Sequence, residues 1–186
     1  MPVQKTDETR VVQQALDLLR NKGYQRTSMS DVGKACGLLK GSLYHYFSSK
    51  EDMALAVLRY VDSQFQDTIF PIAYEDDLPP AKRLNKIADA TAEYFLSRQD
   101  GCLMGNLALE AINTVPEFRP LIQHYFDDWI VAYAHIYKDG GLSPATARKK
   151  AQQSVAQIQG ALMMMRIFED SAHFRTTMKA LSAQPT

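Results

Sequence analysis

The sequence has no excess of charge of either sign. Its 186 residues carry 21 Lys and Arg against 21 Asp and Glu, so the formal net charge is zero. A globally basic surface therefore cannot be the basis of nucleic-acid binding, and such binding would need a local cluster. Hydrophobic residues make up 46% of the chain, which is typical of a globular protein with its own core.

Cysteine is scarce and long hydrophobic runs are absent. Cys36 and Cys102 lie far apart, and residues 1–10 contain no apolar stretch of the kind found in signal peptides. We therefore expect no structural disulfide and a cytoplasmic location. The apolar stretch 161–165 is far shorter than the roughly 18 residues of a membrane span, so no membrane partner is expected.

Motifs for catalysis, cofactors and metals are missing as well. His45, His124, His135 and His173 show no metal-ligand spacing such as His-x-x-x-His. No nucleophile elbow and no glycine-rich phosphate loop occur. The sequence predicts no catalytic residue, no cofactor and no metal.

Alternating β patterns are absent, and helical periodicity runs along nearly the whole chain. A first helix ends near Gly23, and Ser49 can cap a long fourth helix that reaches Phe70. The segment 74–80, rich in Asp and Pro, is the clearest linker. Five further helices are expected, at 80–99, 102–112, 116–138, 144–170 and 171–182. The sequence therefore predicts an all-α protein.

The pattern of residues 27–50 predicts two short helices that are separated at Gly37. Ser28 and Asp31 can form a capping box at the first of them, and glycine tolerates the left-handed backbone of a tight turn. The second helix, about 39–46, carries basic, hydroxyl and aromatic side chains. Two helices joined by a short turn are typical of the helix-turn-helix motif, whose second helix enters the DNA major groove.

The charge around this motif is locally positive. Between positions 22 and 50 the one acidic residue is Asp31, whereas five residues are basic: Lys22, Arg26, Lys34, Lys40 and Lys50. Such an excess is what phosphate binding requires. On spacing alone, an ordinary helical corner with solvated charges remains the alternative.

The predicted DNA-contacting residues are Ser28, Lys40, Gly41, Ser42, Tyr44, His45, Tyr46 and Lys50. We expect Lys40, Ser42, Tyr44 and His45 near base edges, because Lys can donate to guanine and an aromatic flank can meet a thymine methyl group. Ser28, Tyr46 and Lys50 are expected at phosphates.

Residues 37–53 are similar to the recognition-helix signature of TetR/AcrR-family regulators. The most specific part is Leu-Tyr-His-Tyr-Phe at 43–47, followed by Lys50. Leu39 departs from the family, which usually has a capping Ser there. Loss of such a cap costs about 1 kcal/mol of local helix stability.

This resemblance implies a three-helix DNA-binding domain at 1–50 and a C-terminal bundle at 51–186 that binds a ligand and dimerises. Residues 51–70 would form the connecting helix. It also implies a homodimer on palindromic operator DNA.

Residues 101–103, Gly-Cys-Leu, resemble a segment of NemR-like family members, which sense electrophiles through that cysteine. Cys102 is expected in the first turn of a helix, a position that favours thiolate. The alternative is a small hydrophobic residue in the core.

Aromatic residues on several helices suggest a ligand cavity with a few polar groups. The candidates are Tyr94, Phe95, Met104, Trp129 and Tyr133, with Asn106, Glu110 and His124 as polar groups. An aromatic stripe at helical spacing is also compatible with a plain core.

The eighth predicted helix is apolar almost all round near its end, and part of it is expected to meet a second subunit. The predicted interface residues are Gly160, Ala161, Met164, Ile167, Phe168 and Phe174. Wholly internal packing is the alternative.

The sequence thus predicts a dimeric transcriptional repressor released from its operator by a small-molecule or electrophilic inducer. Two other classes remain open. A thiol or small-molecule sensor without a DNA role would keep the cavity but not the basic helical corner. A cysteine-dependent enzyme would need a base brought to Cys102 by the fold.

Overall fold

The computed structural model describes residues 8–97 and 101–183, without the side chain of Lys40. The described residues form α-helices and one 3-10 turn, and no strand occurs among them. The helices are α1 (Glu8–Lys22), α2 (Met29–Cys36), α3 (Lys40–Leu43), α4 (Lys50–Thr68), α5 (Pro80–Leu96), α6 (Leu103–Ala111), α7 (Phe118–Asp139), α8 (Pro144–Phe168) and α9 (Ala172–Ser182). The all-α prediction is confirmed.

The chain divides into two compact units. The first contains the described residues up to Val61 together with Leu103–Ile122. The second contains those from Asp62 to Cys102 and from Gln123 onward. The chain passes between them within α4, just before α6, and within α7.

The predicted capping box opens α2. The Ser28 hydroxyl accepts from the backbone N–H of Asp31, and the Asp31 carboxylate accepts from the backbone N–H of Ser28. Gly37 ends the helix with φ of 68°, in the left-handed region. The left-handed turn at this glycine is therefore confirmed.

The recognition helix α3 is shorter than predicted. It spans only Lys40–Leu43, and residues 44–46 form turns instead of continuing the helix to 46. Leu39 stands at its N-cap and makes no side-chain capping bond, because leucine has no acceptor. Leu43 and Phe47 are buried and fix the motif on the unit's core.

Ser49 caps α4, as expected, by accepting from the backbone N–H of Asp52 at 3.1 Å. The Asp52 carboxylate, however, accepts from the N–H of Ser48, not from Ser49. A 3-10 turn, Phe70–Tyr74, follows the helix. Pro71 lies in this turn and lacks the N–H that an α-helical ladder requires.

Aromatic rings fill the second unit. Trp129, Tyr133, Tyr137 and Phe65 are fully buried, and Phe174 of α9 contacts Phe95 edge-on at 6.3 Å. Among the described helices, none is long and apolar enough to span a membrane.

A carboxylate of α6 holds the turn between α1 and α2 in the first unit. Glu110 Oε2 accepts from the N–H of Tyr24 at 2.9 Å, and Glu110 Oε1 accepts from the N–H of Gln25 at 2.7 Å. Gly23 has φ of 78°, and a Cβ built there would lie 2.9 Å from Glu110 Oε2. The absent side chain at Gly23 therefore makes room for this carboxylate.

We predict that Gly23→Ala destabilises the protein more than Gly37→Ala. Both substitutions place alanine in a left-handed backbone, which costs about 1–2 kcal/mol. Only the alanine at position 23 also displaces Glu110, whereas nothing lies within 4 Å of a Cβ at Gly37. Urea unfolding measures the two free energies, and equal losses would contradict this packing.

Candidate functional site

The exposed side of the helix-turn-helix carries several predicted DNA contacts. Tyr44 is 46% exposed, His45 is exposed, and Ser42 is half-buried on α3. Leu39 is 81% exposed at the start of the same helix. The side chain of Lys40 lies outside the described part of the structure. The surface thus offers hydroxyl, aromatic, imidazole and aliphatic groups on α3 and the residues that flank it.

Ser28, Tyr46 and Lys50, the predicted phosphate contacts, border this helix. The Ser28 hydroxyl donates to Asp31 Oδ2 at 2.7 Å while remaining exposed. The ammonium of Lys50 donates to the carbonyl of Gln25 at 3.2 Å and lies 4.2 Å from the centre of the Tyr24 ring. Lys50 therefore has a role inside the unit in addition to its predicted phosphate contact.

Tyr24 contacts residues from several helices of the first unit. Its hydroxyl donates to the carboxylate of Glu51 at 3.0 Å, and its ring packs edge-on against Phe118 at 5.3 Å. Burial raises the pKa of the Tyr24 hydroxyl far above its usual range, and the Glu51 carboxylate adds to the effect. Tyr24 therefore stays a hydrogen-bond donor. With Glu110 on its N–H, it links the α1–α2 turn to α4, α6 and α7.

The structure brings four of the predicted ligand residues together in the second unit. The rings of Phe95 and Trp129 stack at 6.2 Å, and Tyr94 packs against Phe95 at 5.0 Å. Tyr133 lies one helical turn beyond Trp129 and is fully buried. Thr91 of α5 lies beside the Tyr133 hydroxyl. It was not among the predicted ligand residues, because a single threonine in an apolar stripe carries no signal.

The remaining ligand candidates lie elsewhere. Met104 and Asn106 belong to the first unit, as does Glu110, whose carboxylate is occupied by the α1–α2 turn. His124 is exposed, and its Nε2 lies 3.2 Å from Asp128 Oδ2.

A second polar group occurs near His124. Gln66 donates to Asp128, and burial raises the pKa of the neighbouring Asp62 carboxyl. No local pattern pairs Gln66 with Asp128, because the two positions are 62 apart in the chain.

A buried arginine organises another part of the second unit. The Arg83 guanidinium donates to Asp76 Oδ1 at 3.0 Å, to Asp139 Oδ2 at 2.8 Å and to the carbonyl of Ala73. The bond from Arg83 lowers the pKa of Asp139. His135 Nε2 approaches the same two carboxylates, so Asp76, His135 and Asp139 have metal-ligand proximity. Because the guanidinium already binds one oxygen of each carboxylate, and these are the oxygens nearest His135, the group is an ion-pair network and a poor cation site.

Both cysteines are free and buried. Cys36 is 6% exposed on α2, and burial raises the pKa of its thiol. Cys102 is 5% exposed and immediately precedes α6, so it lies just outside the helical turn in which it was predicted. Thiols that react readily with electrophiles are at least partly exposed.

The residues predicted for the dimer interface divide into two groups. Ala161 and Phe174 are buried within the chain's own second unit. Ile167 and Phe168 are 61% and 66% exposed, as is the adjacent Met163 at 55%. Gly160 and Met164 are half-buried. The C-terminal half of α8 thus presents an apolar surface.

Two known families match the chain. Residues 11–57 match the family described as bacterial regulatory proteins, tetR family. Residues 80–180 match the C-terminal domain of LmrA/YxaF-like transcriptional regulators. The HTH-type transcriptional repressor DhaR of Mycobacterium sp. strain GP1 is 26% identical over 162 residues, covering 84% of this chain and 81% of DhaR.

Solved structures share the fold. A TetR transcriptional regulator from Legionella pneumophila superposes with a TM-score of 0.88 at 19% identity, over 100% of both chains. The reduced form of NemR from E. coli superposes with a TM-score of 0.80 at 18% identity, over 94% of both chains. The helix-turn-helix, the all-helical C-terminal part and both family matches agree, and the chain belongs to the TetR family of bacterial transcriptional regulators.

Proposed function

We propose that this chain is a repressor that binds a palindromic operator as a homodimer and leaves it when a small molecule binds the second unit. The observation that carries the proposal is the helix-turn-helix, in which Leu39, Tyr44 and His45 are exposed at the two ends of the second helix. In this division residues 1–50 contact DNA, and residues 51–186 bind the effector and dimerise. Because the partner would be chromosomal DNA, we place the protein in the cytoplasm.

The DNA contacts divide into two roles. We assign Lys40, Ser42, Tyr44 and His45 to base edges in the major groove, with Gly41 leaving room for close approach. Ser28, Tyr46 and Lys50 are assigned to phosphates. Phosphate contacts position the protein, and base contacts specify the sequence.

We predict that Lys50→Ala weakens binding to operator and to unrelated DNA by similar factors. The salt dependence of log K should also fall by about one unit, because one fewer phosphate is neutralised. Lys40→Ala should instead weaken discrimination between operator and mutated operator by about 1–3 kcal/mol. Fluorescence anisotropy over a salt series measures both.

Lys82→Ala serves as the control for Lys50→Ala and should keep the wild-type salt slope, since Lys82 is an exposed lysine on α5 outside the basic group of residues 22–50. A Lys50→Ala protein that changes sequence preference and keeps the wild-type salt slope would contradict the assignment.

We assign dimerisation to the apolar end of α8. Met163, Ile167 and Phe168 form an exposed apolar group, and such patches in soluble proteins mark interaction sites. TetR-family regulators form dimers, so a second copy of the chain is the proposed occupant. Ala161 and Phe174 support this surface from inside the unit.

We predict that Ile167→Glu and Phe168→Glu give monomers that lose operator affinity. An unpaired charge in an apolar interface costs several kcal/mol. Leu109→Glu is the control, because Leu109 of α6 is 87% exposed but lies outside the proposed interface. Sedimentation velocity that shows dimers for both α8 variants would overturn the assignment.

We propose a reversible ligand rather than an electrophile as the inducer. Cys102 is 5% exposed. The two histidines considered as bases for a cysteine-dependent enzyme, His124 and His135, lie against carboxylates of the second unit. The effector can shift the protein only through different affinities for the DNA-bound and free arrangements. The three passages of the chain between the units, in α4, before α6 and in α7, offer routes for that shift.

We predict that one equivalent of N-ethylmaleimide does not release the protein from its operator, because both thiols are shielded. Cys102→Ser and Cys36→Ser should bind operator as the wild type does. Electrophoretic retardation with and without reagent measures this. Release of the wild type and of Cys36→Ser, together with resistance of Cys102→Ser, would show that Cys102 is the sensor after all.

A further inference from the structure

Three buried polar side chains in the second unit lack hydrogen bonds of ordinary geometry to other described residues. They are Thr91 on α5, with Oγ1, and Trp129 and Tyr133 on α7, with Nε1 and the hydroxyl. All three residues are 0% exposed. Thr91 and Trp129 flank the Tyr133 hydroxyl, so the three polar atoms form one group inside the aromatic core.

This arrangement is costly for the folded protein. A buried polar group without a good partner loses its hydration, and no hydrogen bond of the folded protein replaces it. The neighbouring Tyr137, one turn further along α7, shows the usual solution: its hydroxyl pairs with Ser154 Oγ at 2.8 Å. Helix α7 therefore carries one buried tyrosine, Tyr137, with a well-formed internal hydrogen bond, and another, Tyr133, whose polar neighbours Thr91 and Trp129 lie beside its hydroxyl without ordinary hydrogen-bond geometry.

The chemistry of the group defines what would satisfy it. The indole N–H of Trp129 can only donate. Burial raises the pKa of the Tyr133 hydroxyl, which therefore stays protonated and can donate too. The polar neighbours of this hydroxyl, Tyr137, Thr91 and Trp129, are neutral side chains. A neutral oxygen acceptor fits such surroundings, whereas an anion would be left without a compensating charge.

The surrounding rings define the rest of the ligand. Trp129 packs against Phe95 at 6.2 Å, Phe65 at 5.5 Å and Tyr125 at 5.8 Å. A ligand that reaches the polar group must therefore replace contacts between apolar rings. The part of the ligand that lies among these rings must therefore be apolar.

We propose, on the basis of the effector role assigned above to the second unit, that Thr91, Trp129 and Tyr133 bind a neutral, mainly apolar effector through a carbonyl oxygen. The carbonyl accepts from the Trp129 indole and the Tyr133 hydroxyl, and Thr91 completes the polar group. The aromatic rings cover the remainder of the molecule.

A surface pocket on the same unit offers a route to this site. It has a volume of about 310 Å³ and lies between the end of α4 and α5, where Tyr94 forms part of its lining. The Tyr94 ring meets Phe65 edge-on at 4.7 Å, and Phe65 in turn contacts Trp129. The Tyr94 and Phe65 rings thus lie between the pocket and Trp129.

The single tryptophan of the chain provides a direct readout, since Trp129 gives the only indole N–H signal in a ¹⁵N–¹H NMR spectrum. Three ligands of similar size separate the requirements: acetophenone has a carbonyl, ethylbenzene lacks it, and benzoate carries a charge. We expect acetophenone to shift the indole signal downfield and to bind about tenfold more tightly than ethylbenzene. Benzoate should not bind.

Tyr133→Phe and Thr91→Val test the residues, with Tyr137→Phe as the matched control. Removal of the Tyr133 or Thr91 hydroxyl should leave the melting temperature unchanged or raise it. The same variants should lower the preference for acetophenone over ethylbenzene by about fivefold each. Tyr137→Phe should lower the melting temperature and keep the wild-type preference, because its hydroxyl has an internal partner.

Equal binding of acetophenone and ethylbenzene by the wild type would overturn the proposal. So would a loss of stability in Tyr133→Phe as large as that in Tyr137→Phe, which would show that the Tyr133 hydroxyl has an internal partner. Operator binding without ligand separates this proposal from the proposed function. If the variants and the wild type bind operator but none prefers the ketone, only the effector assignment fails. If none binds operator, the repressor assignment fails, whatever the ketone does.

Discussion

The carboxylate of Glu110 accepts from two consecutive backbone N–H groups in the turn between α1 and α2, and the DNA-reading unit is built around this contact. The turn would otherwise expose the N–H groups of Tyr24 and Gln25, and Gly23 supplies the space for the carboxylate. Tyr24 then extends from the same turn to Glu51 and Phe118. Helix α6 thereby holds the turn that leads from α1 into α2.

The second unit has a different physical character, since its core consists mainly of aromatic rings. Phe65, Phe95 and Trp129 contact one another in tilted or stacked geometry, and each buries a large apolar area. In the same unit the buried Arg83 guanidinium donates to Asp76 and Asp139, whereas the polar atoms of Thr91, Trp129 and Tyr133 lack hydrogen bonds of ordinary geometry to described residues. The first group is a paired charge, and the second is the group proposed above to bind an effector.

The sequence predicted the fold well because most helix ends are set by local chemistry. Ser28, Gly37 and Ser49 cap or end helices through their own side chains or backbone. Helix α3 is shorter than its periodicity suggested, and Leu39 leaves its N-cap without a side-chain acceptor. Contacts between distant residues had no local signal: Glu110 is 86 residues from Tyr24, so its polar character suggested a ligand cavity. Thr91 was missed for the same reason, as only the fold brings it to Tyr133.

Selection of bound duplexes from a random DNA library tests the central claim most directly. The intact chain is incubated with the library, the bound fraction is sequenced, and the mass of the complex is measured. The account predicts enrichment of an inverted repeat whose half-site centres are about 10 base pairs, or a multiple, apart, with at least two chains on each duplex. Recovery of no enriched sequence, or of an asymmetric site occupied by one chain, would contradict it.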